Sequence, residues 1–282
     1  MSDFPLPSSW NRDTKEVKRD ERKRRLSPAS FFYSQGKALV LAAGYFHDGR
    51  LAPHARGGVA TKHRHRIGLA LFGQLMAAFE YMLKDFVAQQ IDASSHIDAE
   101  VNKAEWIDID SKKLLSLRSA PTTIGAMLVH STLGWHNPEQ VNSRYQALFG
   151  RQPIASSETD TLERLWVVRH SVAHNAGFMI AHDAARIGGT GVSEKLIDLG
   201  AGFMDETFEF LCAIAERVAT LVGQHVLVEW LRSQGPLGQD ATRDLYTYSL
   251  LKYMATYVGS RPKDLEDVGE AEYAADFQAA NP

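Results

Sequence analysis

The sequence predicts an all-α protein. Two long segments, residues 63–91 and 203–233, carry apolar residues at steps of three and four, as expected for helices with one buried face. The 282 residues show neither a repeat of fixed period nor a regular alternation of strand-like and helix-like segments. Hydrophobic residues make up 44% of the chain and charged residues 23%, which is typical of a globular protein with a sizeable core. These observations together predict a helical bundle.

The first long segment has the clearest helical pattern. Its apolar face consists of Phe72, Leu75, Met76, Phe79, Met82, Leu83, Phe86 and Val87. Between residues 92 and 158, Pro121 and the stretches "GWHNP" and "FGRQP" interrupt the pattern, so shorter helices are expected there. The clearest of these are "TTIGAMLVHSTL" (122–133) and "PEQVNSRYQALF" (138–149).

A capped helix is predicted next, in "SSETDTLERLWVVRHSVAHNAG". Ser157 or Thr159 is the expected N-cap, acidic residues occupy the first turn, and Gly177 follows the last turn. The weakly alternating stretch that follows, with "GGTG" at 188–191, predicts a loop or small hairpin leading to the helix at 203–233. A last amphipathic helix is expected at 241–259, where Tyr246, Leu250, Tyr253 and Tyr257 form a stripe best explained by packing.

These elements suggest three parts. Residues 1–62 are expected to form an N-terminal arm and accessory segment, residues 63–260 the helical bundle, and residues 261–282 an acidic tail. The mixed-charge run at 12–25 and "TKHRHR" at 61–66 are basic enough to contact RNA, but a solvated surface is the favoured interpretation.

Charge and cysteine content narrow the functional classes. The net charge of −3 provides no global basic field, so nucleic-acid binding would need a local patch. Cys212 is the single cysteine, no apolar secretory segment follows Met1, and no apolar run approaches the roughly 18 residues of a membrane span. We therefore expect a cytoplasmic protein that does not enter a membrane.

The hexapeptide "RHSVAH", residues 169–174, places a guanidinium and two imidazoles within an apolar helix. At about 100° per residue, Arg169 falls within the stripe that also contains Trp166 and Ala173, whereas His170 and His174 lie one turn apart on its flank. An arginine on a core-facing stripe needs a carboxylate, backbone carbonyls or an anionic ligand as its partner. Glu80, at the edge of the apolar face of 63–91, is the best candidate carboxylate.

This pattern resembles the signature of the HEPN superfamily, which is an Arg, four to six residues and then a His, often with a polar residue directly after the Arg. Arg169, His170 and His174 occupy those positions. "AFEYMLKDFV" is similar to the family's first long helix with its acidic residue, Glu80, and "NPEQVNSRYQALFG" resembles the short helical segment before the motif helix in ribonuclease-like members. The resemblance covers about residues 63–232. It implies a HEPN-like helical bundle, here with an N-terminal extension and an extra C-terminal helix, that pairs with a second copy.

The resemblance also implies a metal-independent endoribonuclease, and the residues present suit that chemistry. RNA supplies its own nucleophile, the 2′-hydroxyl, so the protein needs only a proton acceptor, a proton donor and an anion stabiliser. His174 is expected to transfer protons and Arg169 to hold the phosphate, with His170 orienting the phosphate or tuning His174, and Glu80 holding Arg169. A second copy would supply a second imidazole, and no cofactor is expected.

Two alternatives remain open. His170 and His174 have the spacing of a helical zinc pair, but Ser171 stands where zinc proteases have their catalytic Glu, and no third ligand lies near in sequence, so no metal is expected. The second alternative, from another functional class, is a non-catalytic HEPN-like module for dimerisation or nucleotide binding.

The main expectation is a ribonuclease that acts as a toxin or antiphage-defence effector. A regulatory or antitoxin protein is expected to restrain it, since a free ribonuclease would harm its host.

Overall fold

The computed structural model describes residues 27–47, 59–107, 123–129, 131, 133–188, 194–200, 202–234, 237, 241–257 and 269–282. Within these residues the protein is all-α, as the sequence predicts, with only two short strands. The basic run at 12–25 lies outside the described residues.

The described helices fall into two groups separated by a small hairpin. The first group is α1 Pro28–His47, α2 Val59–Ala93, α3 Asp98–Lys103, α4 Ile124–Val129, α5 Pro138–Phe149 and α6 Ser156–His174, with a 3₁₀ turn at Ser95–Ile97. The hairpin strands are β1 Phe178–Met179 and β2 Lys195–Leu196, with α7 Ala181–Arg186 between them. The second group is α8 Phe203–Arg217, a π-helical segment Val218–Gly223, α9 Gln224–Ser233, α10 Ala241–Met254 and α11 Glu270–Ala280.

Helix α2 forms the centre of the core. All eight apolar residues of its predicted face are buried, each 0–1% exposed. Their rings and chains contact the surrounding helices, for example where Phe86 meets Tyr145 of α5 with ring centroids 6.0 Å apart. The three-four spacing therefore predicted this face correctly, because it matches the period of the helix.

Helix α1 belongs to the same core. Phe32 is fully buried and meets Phe79 of α2 edge to face, with ring centroids 5.5 Å apart. Helix α2 also begins at Val59, so the predicted boundary at residue 62 falls inside a helix. The described part of the predicted arm and accessory segment is thus an integral core helix, which the weak periodicity of this stretch did not reveal.

The predicted acidic tail contains a docked helix in its described part. Tyr273 of α11 is 2% exposed and packs edge to face on Tyr248 of α10 at 5.2 Å. Lys252 pairs with Asp276 at 2.8 Å, and the Tyr248 hydroxyl donates to the same carboxylate at 2.6 Å. This carboxylate therefore faces a lysine on α10 and does not extend freely into solvent.

The predicted helix at 203–233 is continuous but contains an insertion. Within it, Val218–Gly223 is π-helical. By length and composition Phe203–Ser233 passes as a membrane span, with a mean hydropathy of 1.4, so the expectation that no apolar run approaches that length is corrected. Half of its most apolar 18-residue window is buried inside the protein, and it is the only such helix in the described ranges.

The elements around the motif helix follow the sequence closely. Helix α5 has the predicted bounds, with Asn137 accepting a hydrogen bond from the Gln140 amide at 2.9 Å and Gly150 ending it at φ 64°. Helix α6 starts at Ser156, so Ser157 and Thr159 lie inside it and the predicted caps are wrong. The Glu158 carboxylate instead accepts from the amide of the residue before the helix.

The ionised side chain of Asp85 in α2 is expected to lower the free energy of unfolding. Burial raises the pKa of Asp85 to about 6, opposed by the hydrogen bond from Gln89 and reinforced by Asp92. Because the folded protein binds this proton more tightly than the unfolded chain, stability falls as pH rises from about 4 to about 6. We expect Asp85→Asn to raise the free energy of unfolding by about 1–2 kcal/mol at pH 7.

Denaturant unfolding at pH 7 and pH 4 checks this expectation. The gain should shrink at pH 4, where the wild-type carboxyl is largely protonated in the folded state. The matched control is Asp160→Asn, because the Asp160 side chain is 74% exposed and should change stability by no more than about 0.5 kcal/mol. A gain that is equal at both pH values would contradict the assigned cause.

Candidate functional site

The motif helix α6 ends in a tight reversal of the chain. The amides of Asn175 and Gly177 both donate to the Ser171 carbonyl, at 3.0 and 3.1 Å. Gly177 has φ 85°, as predicted for a residue that follows the last turn, and Ala176 adopts φ 53° although it has a side chain. The chain therefore enters strand β1 directly beside the last turn of α6.

The last turn of α6 presents Arg169, His170, Ala173 and His174 as one continuous surface by helical geometry. The His170 side chain is 49% exposed, and Ala173 and His174 are also exposed, whereas Arg169 is half-buried. The two imidazole rings lie side by side, with centroids 4.9 Å apart and planes at 43°. Ala173 was predicted on the core stripe, but the stripe opens to solvent before reaching it.

A buried carboxylate, Asp183 of α7, anchors one of these imidazoles. Its Oδ2 lies 3.1 Å from His170 Nδ1, accepts from the Ser171 hydroxyl at 2.7 Å, and accepts from the Asn175 side-chain amide at 3.4 Å. Asp183 is only 1% exposed, whereas His170 reaches the surface. Asp183 was not among the sequence candidates, and it makes the site a linked set of residues from α6 and α7.

The charge on Asp183 determines which ring nitrogen of His170 carries the hydrogen. Burial opposes ionisation of Asp183, but hydrogen bonds from Ser171 and His170 outweigh it and lower the pKa of the carboxyl below its ordinary value. An ionised carboxylate can only accept hydrogen bonds, so Nδ1 of His170 must carry the hydrogen. In the neutral ring Nε2 is then free to accept a proton at the surface. Asp183 Oδ1 has no hydrogen-bond partner in the described part of the chain.

The predicted pairing of Glu80 with Arg169 is wrong. Glu80 Oε1 accepts a hydrogen bond from the backbone amide of Trp135 at 3.1 Å, so it fixes the loop before α5. Trp135 is fully buried, and Arg144 stacks on its ring at 4.9 Å. Within the described ranges no ion pair or hydrogen bond reaches the Arg169 guanidinium, which leaves its donors available to an anion.

The core holds the site from behind. Phe79 of α2 contacts Trp166 of α6, with ring centroids 6.3 Å apart, and a methyl group on Gly73 would lie 3.7 Å from Val172. These contacts are spaced along both helices, so α6 packs on the buried face of α2. The imidazoles are therefore supported by the core, whereas their outer faces meet solvent.

Other sequence candidates are not part of this surface. Side chains 61–64 of "TKHRHR" and most of "GGTG" lie outside the described residues. Tyr257 packs edge to face on Tyr33 at 6.2 Å, in agreement with a packing role for that part of the tyrosine stripe. In the ranges the structure describes, no three His, Cys, Asp or Glu side chains converge as metal ligands.

The motif residues are not among the lining residues of four cavities in the described part of the chain. His170, Ala173 and His174 are exposed, so the site is an open surface. No protein-family model, no curated protein and no solved structure matches this chain. The HEPN resemblance therefore rests on the motif residues and their flanks, in a fold that is all-α.

Proposed function

We propose that this protein is a metal-independent endoribonuclease of the HEPN type that works in the cytoplasm as a homodimer. The observation that carries the proposal is the pair of adjacent imidazoles at the exposed end of α6, one of them anchored by buried Asp183. The half-buried guanidinium of Arg169, without a described partner, lies on the same surface. Such an arrangement suits an anionic substrate that needs two proton transfers.

The proposed reaction uses each group once. His170 Nε2 takes the proton from the RNA 2′-hydroxyl, whose oxygen attacks the adjacent phosphorus. The bond from phosphorus to the 5′-oxygen breaks, and protonated His174 gives that oxygen its proton. Arg169 binds the non-bridging phosphate oxygens, where negative charge increases in the transition state. The products are a 2′,3′-cyclic phosphate and a 5′-hydroxyl.

This assignment revises the expected roles of the two histidines. The sequence alone favoured His174 for proton transfer and His170 for orientation. The Asp183 contact favours His170 as the base, because a carboxylate on Nδ1 fixes the ring and stabilises the imidazolium that forms. Glu80 has no place in the reaction, since it bonds to the backbone of the loop before α5.

A second copy is proposed to close the open surface. Phe178 and Leu196, paired across the hairpin that follows α6, are 50% and 41% exposed. Ala173 is exposed between Arg169 and the imidazoles, so a partner helix can approach closely there. Two-fold pairing would place a second Arg169 and His174 beside the first set and enclose the RNA.

We further propose that the activity is restrained in the cell, as in a toxin or antiphage-defence effector held by a regulatory or antitoxin protein. An unrestrained ribonuclease would degrade the RNA of its host. The non-catalytic alternative, a dimerisation or nucleotide-binding module, would use the same surface without cleavage.

The test is RNA cleavage by the purified full chain in a metal chelator. We expect products with 2′,3′-cyclic phosphate ends, and a loss of at least about 100-fold in Arg169→Ala and in His174→Ala. Arg164→Ala is the matched control, because Arg164 lies on the same helix in an exposed pair with Asp160. Equal RNA loss in the wild type and both site variants would refute the ribonuclease, and RNA binding without cleavage would favour the non-catalytic module.

A further inference from the structure

A cavity of about 530 Å³ lies between α1, α2 and α10, and none of the motif residues lines it. Phe31 comes from α1, Tyr81, Asp85 and Asp92 from α2, and Tyr246 from α10. Its volume falls within the range of small-molecule sites. The proposed ribonuclease leaves this cavity without a role, and a ligand bound here would not depend on RNA cleavage at the motif.

Aromatic rings form one part of the cavity wall. Phe31 and Tyr81 meet edge to face, with ring centroids 6.4 Å apart. Tyr81 and Tyr246 are 44% and 51% exposed. The faces of aromatic rings attract cations, and their apolar area packs well against methylene chains.

Two carboxylates form the other part. Asp85 and Asp92 are seven residues apart on α2, which is two helical turns or about 10 Å along the axis. Asp85 Oδ2 accepts from the Gln89 side chain at 2.7 Å. Asp92 accepts from the Thr123 hydroxyl at 2.6 Å and from the Gly125 amide at 2.9 Å. Each carboxylate keeps lone pairs for a further donor, since two oxygens offer about four acceptor sites.

The cavity carries no positive charge in the part of its lining that the structure describes. No Lys, Arg or His is among those lining residues, and neither carboxylate forms an ion pair with a described cation. Although burial raises the pKa of Asp85 to about 6, this carboxyl is charged above neutral pH. Among the described residues these carboxylates have no cationic partner, and beside the partly exposed aromatic rings they favour a cationic ligand.

We propose that this cavity binds a linear aliphatic polyamine. One ammonium group donates to Asp85, another donates to Asp92, and the methylene chain between them packs on Phe31, Tyr81 and Tyr246. A single metal ion is a poor fit, because no third His, Cys, Asp or Glu side chain joins these two carboxylates among the described residues, whereas calcium takes about 6–8 oxygen ligands. A monoamine would leave one carboxylate without its charge partner.

Calorimetric titration of the full chain with spermidine tests the proposal, at a pH one unit or more above the pKa of Asp85. We expect saturable one-to-one binding that weakens by about tenfold or more in Asp85→Asn, from the loss of a charge-assisted hydrogen bond. Asp85→Asn is a sharp probe because it is expected to be more stable than the wild type, so weaker binding cannot be attributed to unfolding. Asp160→Asn, which removes an exposed carboxylate elsewhere, should bind like the wild type.

Choline and Mg²⁺ distinguish the alternatives. Choline, a single cation, should bind at least about tenfold more weakly than spermidine, and Mg²⁺ at equal ionic strength should not displace spermidine. Equal affinity in the wild type and Asp85→Asn would overturn the proposal. Binding of choline as tight as that of spermidine would overturn it as well, because a single-cation site does not need Asp92.

Discussion

The Asp183→Asn variant is expected to cleave RNA about 100-fold more slowly than the wild type under the proposed mechanism, with little change in KM. Asp183 Oδ2 accepts the Nδ1 hydrogen of His170 at 3.1 Å, which keeps Nε2 free as the proton acceptor. An asparagine amide in this place donates to Nδ1 as readily as it accepts, and then favours the tautomer with its hydrogen on Nε2. Because Asp183 is buried and does not reach RNA, the loss should fall on kcat.

Ser171→Ala and Asp160→Asn complete this experiment. Ser171→Ala removes the hydroxyl donor to Asp183 but leaves the His170 contact, so it should cost about 1 kcal/mol of stability and less than about tenfold in rate. Asp160→Asn, on an exposed turn of the same helix, should leave the rate unchanged. A general loss of fold in Asp183→Asn would lower its unfolding midpoint and reduce the amount of active protein. Full cleavage by a well-folded Asp183→Asn would exclude the proposed role of His170 as base.

Asp183 could not be predicted from local sequence patterns. It lies 13 residues after His170, beyond the hairpin strand β1, in the short Ala-rich helix α7. The contact depends on the reversal at Ala176 and Gly177, which turns the chain back across α6. The available signal was an acidic residue in the mainly apolar "FMIAHDAARIGG", where a buried charge needs a partner.

Glu80, unlike Asp183, was selected from the sequence but assigned the wrong partner. Its position at the edge of the α2 apolar face was interpreted correctly, because helical periodicity determines which residues share a face. Its hydrogen-bond partner was not predicted correctly. The partner is the backbone amide of Trp135, which lies in an irregular loop whose path no periodic pattern describes. Arg169 and the two histidines were found because they interrupt the pattern of a helix that the sequence predicts strongly. The exposure of Ala173 was underestimated, since the stripe that contains it opens to solvent beyond Trp166.

The π-helical segment shows a further limit of periodicity. Apolar spacing predicted residues 203–233 as one helix, and the backbone is indeed helical from Phe203 to Ser233. The extra residue in the π turn changes which positions face the core, so α8 and α9 pack on different neighbours. At its last residue, Gly223, the π segment closely approaches the backbone of Met254 and Ala255. A glycine within a helical pattern was the only local sign of this close approach.

Gly223→Ala is expected to destabilise the protein by about 1–2 kcal/mol. A β-carbon on Gly223 would lie 2.8 Å from the Ala255 α-carbon and 3.0 Å from the Met254 carbonyl oxygen. Both neighbours are backbone atoms, so the two segments must move apart, and overpacking of this kind costs about 1–3 kcal/mol. The helix-propensity gain of alanine, about 0.5–1 kcal/mol, offsets only part of that cost.

Gly44→Ala in α1 is the matched control, because no described atom lies within 4 Å of a β-carbon at that position. There the same substitution should raise the free energy of unfolding by about 0.5–1 kcal/mol, through propensity alone. Denaturant unfolding followed by circular dichroism measures both variants against the wild type. Opposite signs at the two glycines would confirm that close backbone approach at Gly223 selects glycine. A stabilised Gly223→Ala would show instead that the approach of the Met254 and Ala255 backbone to the π segment leaves room for a β-carbon.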